Sequence, residues 1–319
     1  MPALAAAALL AGLAAGPASP AAELGAVAAA SARPPECVRF ARVARRPDTL
    51  WERAREPELA AWCRVMARGA SELATAPERA RASARAAEQL APGRAAALVL
   101  AARAALALGE LEAAWGDFRR ALARSASSVE SPAALHDLAV VAARTGHAEE
   151  ARRAYRALAA RASLLPSEVR RERAYLEAAC WVMDAGSSGL TEAIGYLEEA
   201  RRHAQPGSGA VTLAALALAL DRDGRGDEAQ GAAAEAGGPW GLAELAGIDG
   251  EVPARAARAL PVLPPGELAA MVGVLAERQD PALAEDAWRA VLAARPEGPW
   301  AEYAKRKLGS SGRARRVSR

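Results

Sequence analysis

The chain has little of what sheets and most active sites are built from. Seven Trp, four Tyr and two Phe make aromatics only 4% of its 319 residues, although 52% is hydrophobic. β-Branched residues are scarce as well. Both classes are what a half-buried pleated surface uses, so the composition favours helix over sheet. Histidine is confined to His136, His147 and His203, none in an H-E-x-x-H pattern or near a cysteine at ligand spacing, which removes the usual zinc arrangements. They read as turn or helix-end residues. The three cysteines are too few for a disulfide scaffold and form no C-x-x-C pair. Two readings stand for them: in an exported chain Cys37 and Cys63 join neighbouring helices near the start and leave Cys180 free, or all three are small buried hydrophobes.

Motifs of catalysis are missing too. There is no G-x-S-x-G elbow, no phosphate-binding G-x-x-x-x-G-K-[ST] loop and no dinucleotide glycine cluster. The serines of "GSGAVT" and "GSSGLT" lie in turns between helices, with no strand before them to support an activated nucleophile. The pairs Glu149–Glu150 and Glu198–Glu199 are adjacent on helices and point in different directions, as solvated faces do. "DRDGRGDE", from Asp221, lacks the acid that a calcium loop needs at its twelfth position, where Ala232 stands. The chain therefore reads as a non-enzyme, with no catalytic, cofactor or metal site and no small-molecule substrate.

Charge of one sign is also lacking. Lys and Arg number 41 against 38 Asp and Glu, for a net charge of +3. Arg313, Arg315, Arg316 and Arg319 of the ending "GSSGRARRVSR" account for that excess, so no basic face for nucleic acid is expected. Residues 310–319 read as a disordered basic tail. At the other end, Ala3–Ala15 is an uncharged run of 13 residues. It matches the roughly 7–15 residues of a signal-peptide core and is too short to span a bilayer. Gly16 and Pro17 break it, and small residues before Glu23 allow cleavage. Residues 1–22 are thus expected to be a signal peptide, and the protein periplasmic or secreted. No Lys or Arg precedes Arg33, which keeps open a cytoplasmic chain with an Ala-rich disordered leader.

What is present is alanine, the best helix former, interleaved with Leu, Arg and Glu in a recurring order. Before Gly109, Leu98, Ala101, Ala102 and Ala105 share one helical face; after it, Ala114, Phe118 and Ala121 define a second. The template recurs around Gly146, Gly186 and Gly224, so that the turn glycines stand 37, 40 and 38 residues apart, with two extra turn residues at Gly186. An earlier copy starts at Ala61 and turns at Pro77. A constant packed unit with variable loops is the mark of stacked helical hairpins. Trp115 alone falls outside the template: it is either partly exposed or covered by a neighbouring turn.

"ALALGELEAAWGDFRRAL", "VAARTGHAEEARRAYRAL", "TEAIGYLEEARRHAQP" and "ALALDRDGRGDEAQGAAAEA" resemble the tetratricopeptide repeat family. Two departures are the Leu standing where a bulky aromatic is usual early in the first helix, and a closing Pro kept only as Pro92 and, shifted by one, Pro206. The resemblance implies an all-α, right-handed superhelical solenoid of antiparallel helix hairpins. Residues 34–60 are then N-terminal capping helices, 61–236 about five hairpins, 237–267 an irregular Gly/Pro-rich segment with short helices, and 268–309 a divergent hairpin plus a capping helix that stops at Gly309.

In such a solenoid the first helices line a concave groove, and the residues between packing positions face it. Val99, Arg103, His136, Val140, Leu176, Cys180 and Leu218 are the candidates. The lining is mainly apolar; only Arg103 and His136 could help to clamp a carboxylate. It fits an apolar helix or extended segment of a protein partner, gripped by Val99, Val140, Leu176 and Leu218. The rival is that these side chains pack inside a tight array. The expected role is a scaffold or adaptor with a protein or peptide partner, no nucleic acid, no stable membrane span and no cofactor.

Overall fold

A computed structural model describes Cys37 and residues 50–205, 209–248 and 261–317. The expected leader at 1–22 and all of the region 34–49 except Cys37 lie outside these. The described residues form two units, one up to Ala157 and one from Leu158. Helices run in order α1 Leu50–Glu72, α2 Pro77–Leu90, α3 Ala95–Ala107, α4 Leu111–Arg124, α5 Pro132–Arg144 and α6 Ala148–Ala159, with the division falling inside α6. Then come α7 Glu168–Met183, α8 Leu190–His203, α9 Gly209–Arg222, α10 Gly226–Ala236, α11 Trp240–Leu245, α12 Glu267–Ala276, α13 Pro281–Ala294 and α14 Pro299–Val317. The described residues are all-α, with successive helices paired into hairpins.

The hairpins follow from turn chemistry. Gly109, Gly146 and Gly224 adopt φ of 79°, 79° and 82°, a region closed to most side chains. In each turn the next residue's N–H reaches back to a helix carbonyl: Glu110 to Ala105 at 2.9 Å, His147 to Ala142 at 2.8 Å, Arg225 to Leu220 at 2.9 Å. This is the Schellman closure, which satisfies carbonyls the helix end leaves unpaired. Helix starts are equally local. Ser131 and Ser167 accept from the N–H of Ala134 and Arg170, and Asp280 accepts from Ala282 and Leu283.

Two boundaries differ from expectation. α1 runs straight across the 60/61 division, because "ELAAW" consists of residues that helices accept. α14 does not stop at Gly309 but continues to Val317: an interior glycine costs a helix only about 1 kcal/mol, and no proline follows.

In the first unit Trp62 and Met66 of α1 and Leu73 just after it meet Ala80, Ala84 and Ala87 of α2 and Ala97, Leu100 and Ala104 of α3. Cys63 of α1 is disulfide-bonded to Cys37, with Cα atoms 5.6 Å apart. In the second unit one apolar cluster extends from Leu176 on α7 to Ala304 on α14, with α9 buried at every position from Val211 to Leu220.

Candidate functional site

The candidate groove residues prove to be core. In the first unit Val99 and Val140 are 8% and 7% exposed, and Arg103 is buried with its Nε 2.6 Å from Asp137 Oδ2. Burial works to raise the Asp137 pKa, but Arg103 and the adjacent His136 outweigh it and hold it low. His136 alone of these keeps about a third of its side chain in solvent, 32%. In the second unit Leu176 is buried, and Cys180 and Leu218 have no exposure at all. The expectation that Val99, Val140, Leu176 and Leu218 are open contacts is therefore corrected. Alanines at the packing positions let helices approach so closely that the residues between them are covered too. A signal for this existed: "VTLAALALAL" in α9 carries no charge on any face and "AAALVLAARAALA" in α3 carries only that of Arg103, the pattern of a helix enclosed on all sides.

In the second unit the polar chemistry lies on residues outside that set. Along one face of α7, at helical spacing of four, stand Arg173, Glu177 and Trp181. Arg173 Nε donates to Glu177 Oε1 at 2.9 Å, and Glu177 has no exposure. The same oxygen accepts the N–H of Val262 at 2.9 Å, while Trp181 Nε1 donates to the carbonyl of Val262 at 2.8 Å. One turn earlier on α7, Glu172 accepts from Thr212 of α9 at 3.0 Å, both buried. An acceptor and a donor one turn apart can thus hold both backbone groups of one residue.

A second polar group closes the same unit. Glu267, at the first turn of α12, is 1% exposed, and neither carboxylate oxygen has a hydrogen-bond partner among the described residues. Burial pushes its pKa up to about 8, against the pull of Arg222 and Arg295 and with a push from Asp184. Arg222 stacks 3.8 Å over the Trp300 ring and donates to the Met183 carbonyl at 3.1 Å, while Arg295 pairs with Asp184. Asp221 accepts from Tyr303 and from Lys307, the latter at 2.8 Å. Burial, with Glu267, Glu177 and Asp184 nearby, holds the Cys180 thiol well above its usual range, which suits a packed side chain and not a nucleophile.

No group of His, Cys, Asp and Glu among the described residues is placed to hold a metal ion, and no described helix is long and apolar enough to cross a membrane. Sequence reasoning missed Glu177, Trp181 and Glu267. The visible sign for the first two was an acid and an aromatic set four apart in the otherwise small and apolar "LEAACWVM"; Glu267 looked like an ordinary first-turn acid after Pro264, Pro265 and Gly266. Trp115 is settled in favour of cover: it is 7% exposed and lies against His147 of the following turn, with centroids 4.2 Å apart.

No model of a known family matches the chain, and neither does any curated protein. Among solved structures it is similar to Pseudomonas aeruginosa pilF, at a TM-score of 0.41 and 18% identity over 79% of this chain and 99% of that one. It is also similar to a chain of the APC/C hetero-tetramer Cut9-Hcn1, at a TM-score of 0.36 and 15% identity over 77% of this chain and 48% of that one.

Proposed function

We propose that this chain is a non-enzymatic scaffold that holds a partner protein, working in the bacterial cell envelope. The observation that carries the reading is the repeated hairpin unit itself, joined by Schellman turns at Gly109, Gly146 and Gly224. Repeats of this kind expose a series of equivalent side-chain positions on a stiff frame, which suits recognition of a polypeptide better than the convergence of groups that a reaction needs. The envelope half of the reading is supported by the apolar leader and by the Cys37–Cys63 disulfide, since such bonds persist where the medium oxidises. In-cell crosslinking followed by mass spectrometry is expected to return one or more specific protein partners; a chain crosslinked only to itself would count against the scaffold. An alkaline-phosphatase fusion after residue 40 is expected to be active outside the cytoplasm, and an inactive fusion would assign the same scaffold to the cytoplasm.

A further inference from the structure

In the segment 261–265, Pro-Val-Leu-Pro-Pro, Val262 lies against α7, where Glu177 and Trp181 hold its main chain from both sides. Leu263 packs on the core of the unit and Pro264 is buried, while Pro265 is exposed. Were this segment merely a strut, apolar contact would hold it, and a carboxylate would not have to be desolvated beneath it. Glu177 and Trp181 instead read backbone groups, which every polypeptide offers. Specificity then falls to backbone shape. Pro261, Pro264 and Pro265 fix φ and remove three N–H groups, and Leu263 and Pro264 each precede a proline, which drives them to extended conformations. Pro261 and Pro264 have the P-x-x-P spacing of a polyproline II segment, whose backbone makes no internal hydrogen bonds and leaves its carbonyls free for a donor such as an indole N–H.

We propose that α7 carries a docking site for an extended P-x-x-P segment of a partner protein, and that residues 261–265 fill this site in cis until the partner displaces them. This rests on the scaffold reading and names the chemistry of the partner. Self-occupancy weakens partner binding by the fraction of time that the site stands open, so a partner competes better once the internal segment is loosened.

The test uses a fluorescent peptide of the sequence Leu-Pro-Val-Leu-Pro-Pro-Gly, titrated with the full chain and followed by anisotropy. Val262→Pro in the chain removes the N–H that Glu177 accepts, and the peptide affinity is expected to rise about tenfold over the unaltered chain, the worth of one such hydrogen bond. Trp181→Phe added to that variant removes the donor that the peptide and the internal segment share, so the affinity is expected to fall by less than tenfold. Circular dichroism checks that both variants keep their helix content. Hydrogen exchange at the Val262 amide of the unaltered chain needs no variant: it is expected to quicken with excess peptide as the amide leaves Glu177. A folded Val262→Pro chain with no gain in affinity, or unchanged exchange under excess peptide, would overturn the docking site. Failure of the scaffold reading looks different, because the Val262→Pro chain would bind peptide while crosslinking in cells returned no partner.

Discussion

At Glu267 a single side chain sets how stability responds to pH. Four ionisable groups act on it or feel its charge: Cys180 of α7, Asp184 at the end of α7, Arg222 of α9 and Arg295 just after α13. The folded chain keeps the Glu267 proton up to about pH 8, whereas the unfolded chain releases it near the ordinary glutamate value of 4.5. Between those values the unfolded state binds fewer protons, so the contribution of this group to stability falls as pH rises and then levels off. The limiting slope for one proton is about 1.4 kcal/mol per pH unit. Glu267→Gln keeps the shape and removes the proton, so the variant is expected to gain on the unaltered chain steadily across this window. Urea unfolding at several pH values checks it; parallel curves for the two proteins would mean that Glu267 ionises freely in the fold.

Two interior helix glycines make opposite predictions at the scale of the element. Gly116 of α4 has nothing within 4 Å of where a Cβ would stand, so Gly116→Ala is expected to stabilise by about 0.5–1 kcal/mol, the helix-propensity difference. At Gly273 of α12 the same Cβ would stand 2.6 Å from the ring of Trp288, which is 1% exposed and cannot swing away. Gly273→Ala is therefore expected to destabilise by about 1–3 kcal/mol, the usual cost of overpacking. Thermal unfolding of both variants checks the pair, and equal shifts would contradict the packing of α13 on α12. The contrast also marks what the sequence makes legible. Turn glycines, caps and apolar stripes such as Ala114, Phe118 and Ala121 are local or periodic signals, and the hairpins follow from them. Gly116 and Gly273 look alike in the sequence, because what separates them is a tryptophan 15 residues further on in another helix. For the same reason Val140 and Leu218 passed as groove residues: the spacing gives their face, but only packing says what covers it.

For the whole molecule, cysteine state links the fold to its compartment. The 26-residue separation of Cys37 and Cys63 gives the disulfide about 3.5 kcal/mol of stabilisation in the chain-entropy account, so the chain is less stable wherever thiols are kept reduced. Cys180 does not exchange with that pair, being wholly buried on α7 with its thiol held well above the usual range. Thiol counts should therefore step with unfolding and reduction. Protein isolated from its native compartment without reductant, with exposed thiols blocked on lysis, is expected to show no reactive thiol while folded and one, Cys180, in denaturant. Reduction in denaturant raises the count to the three cysteines of the sequence. Three thiols in denaturant alone would mean that Cys37 and Cys63 are not bonded in the cell, and would remove the structural support for an envelope location. A reactive thiol in the folded protein would point instead to opening of the core around α7, the helix against which Val262 rests.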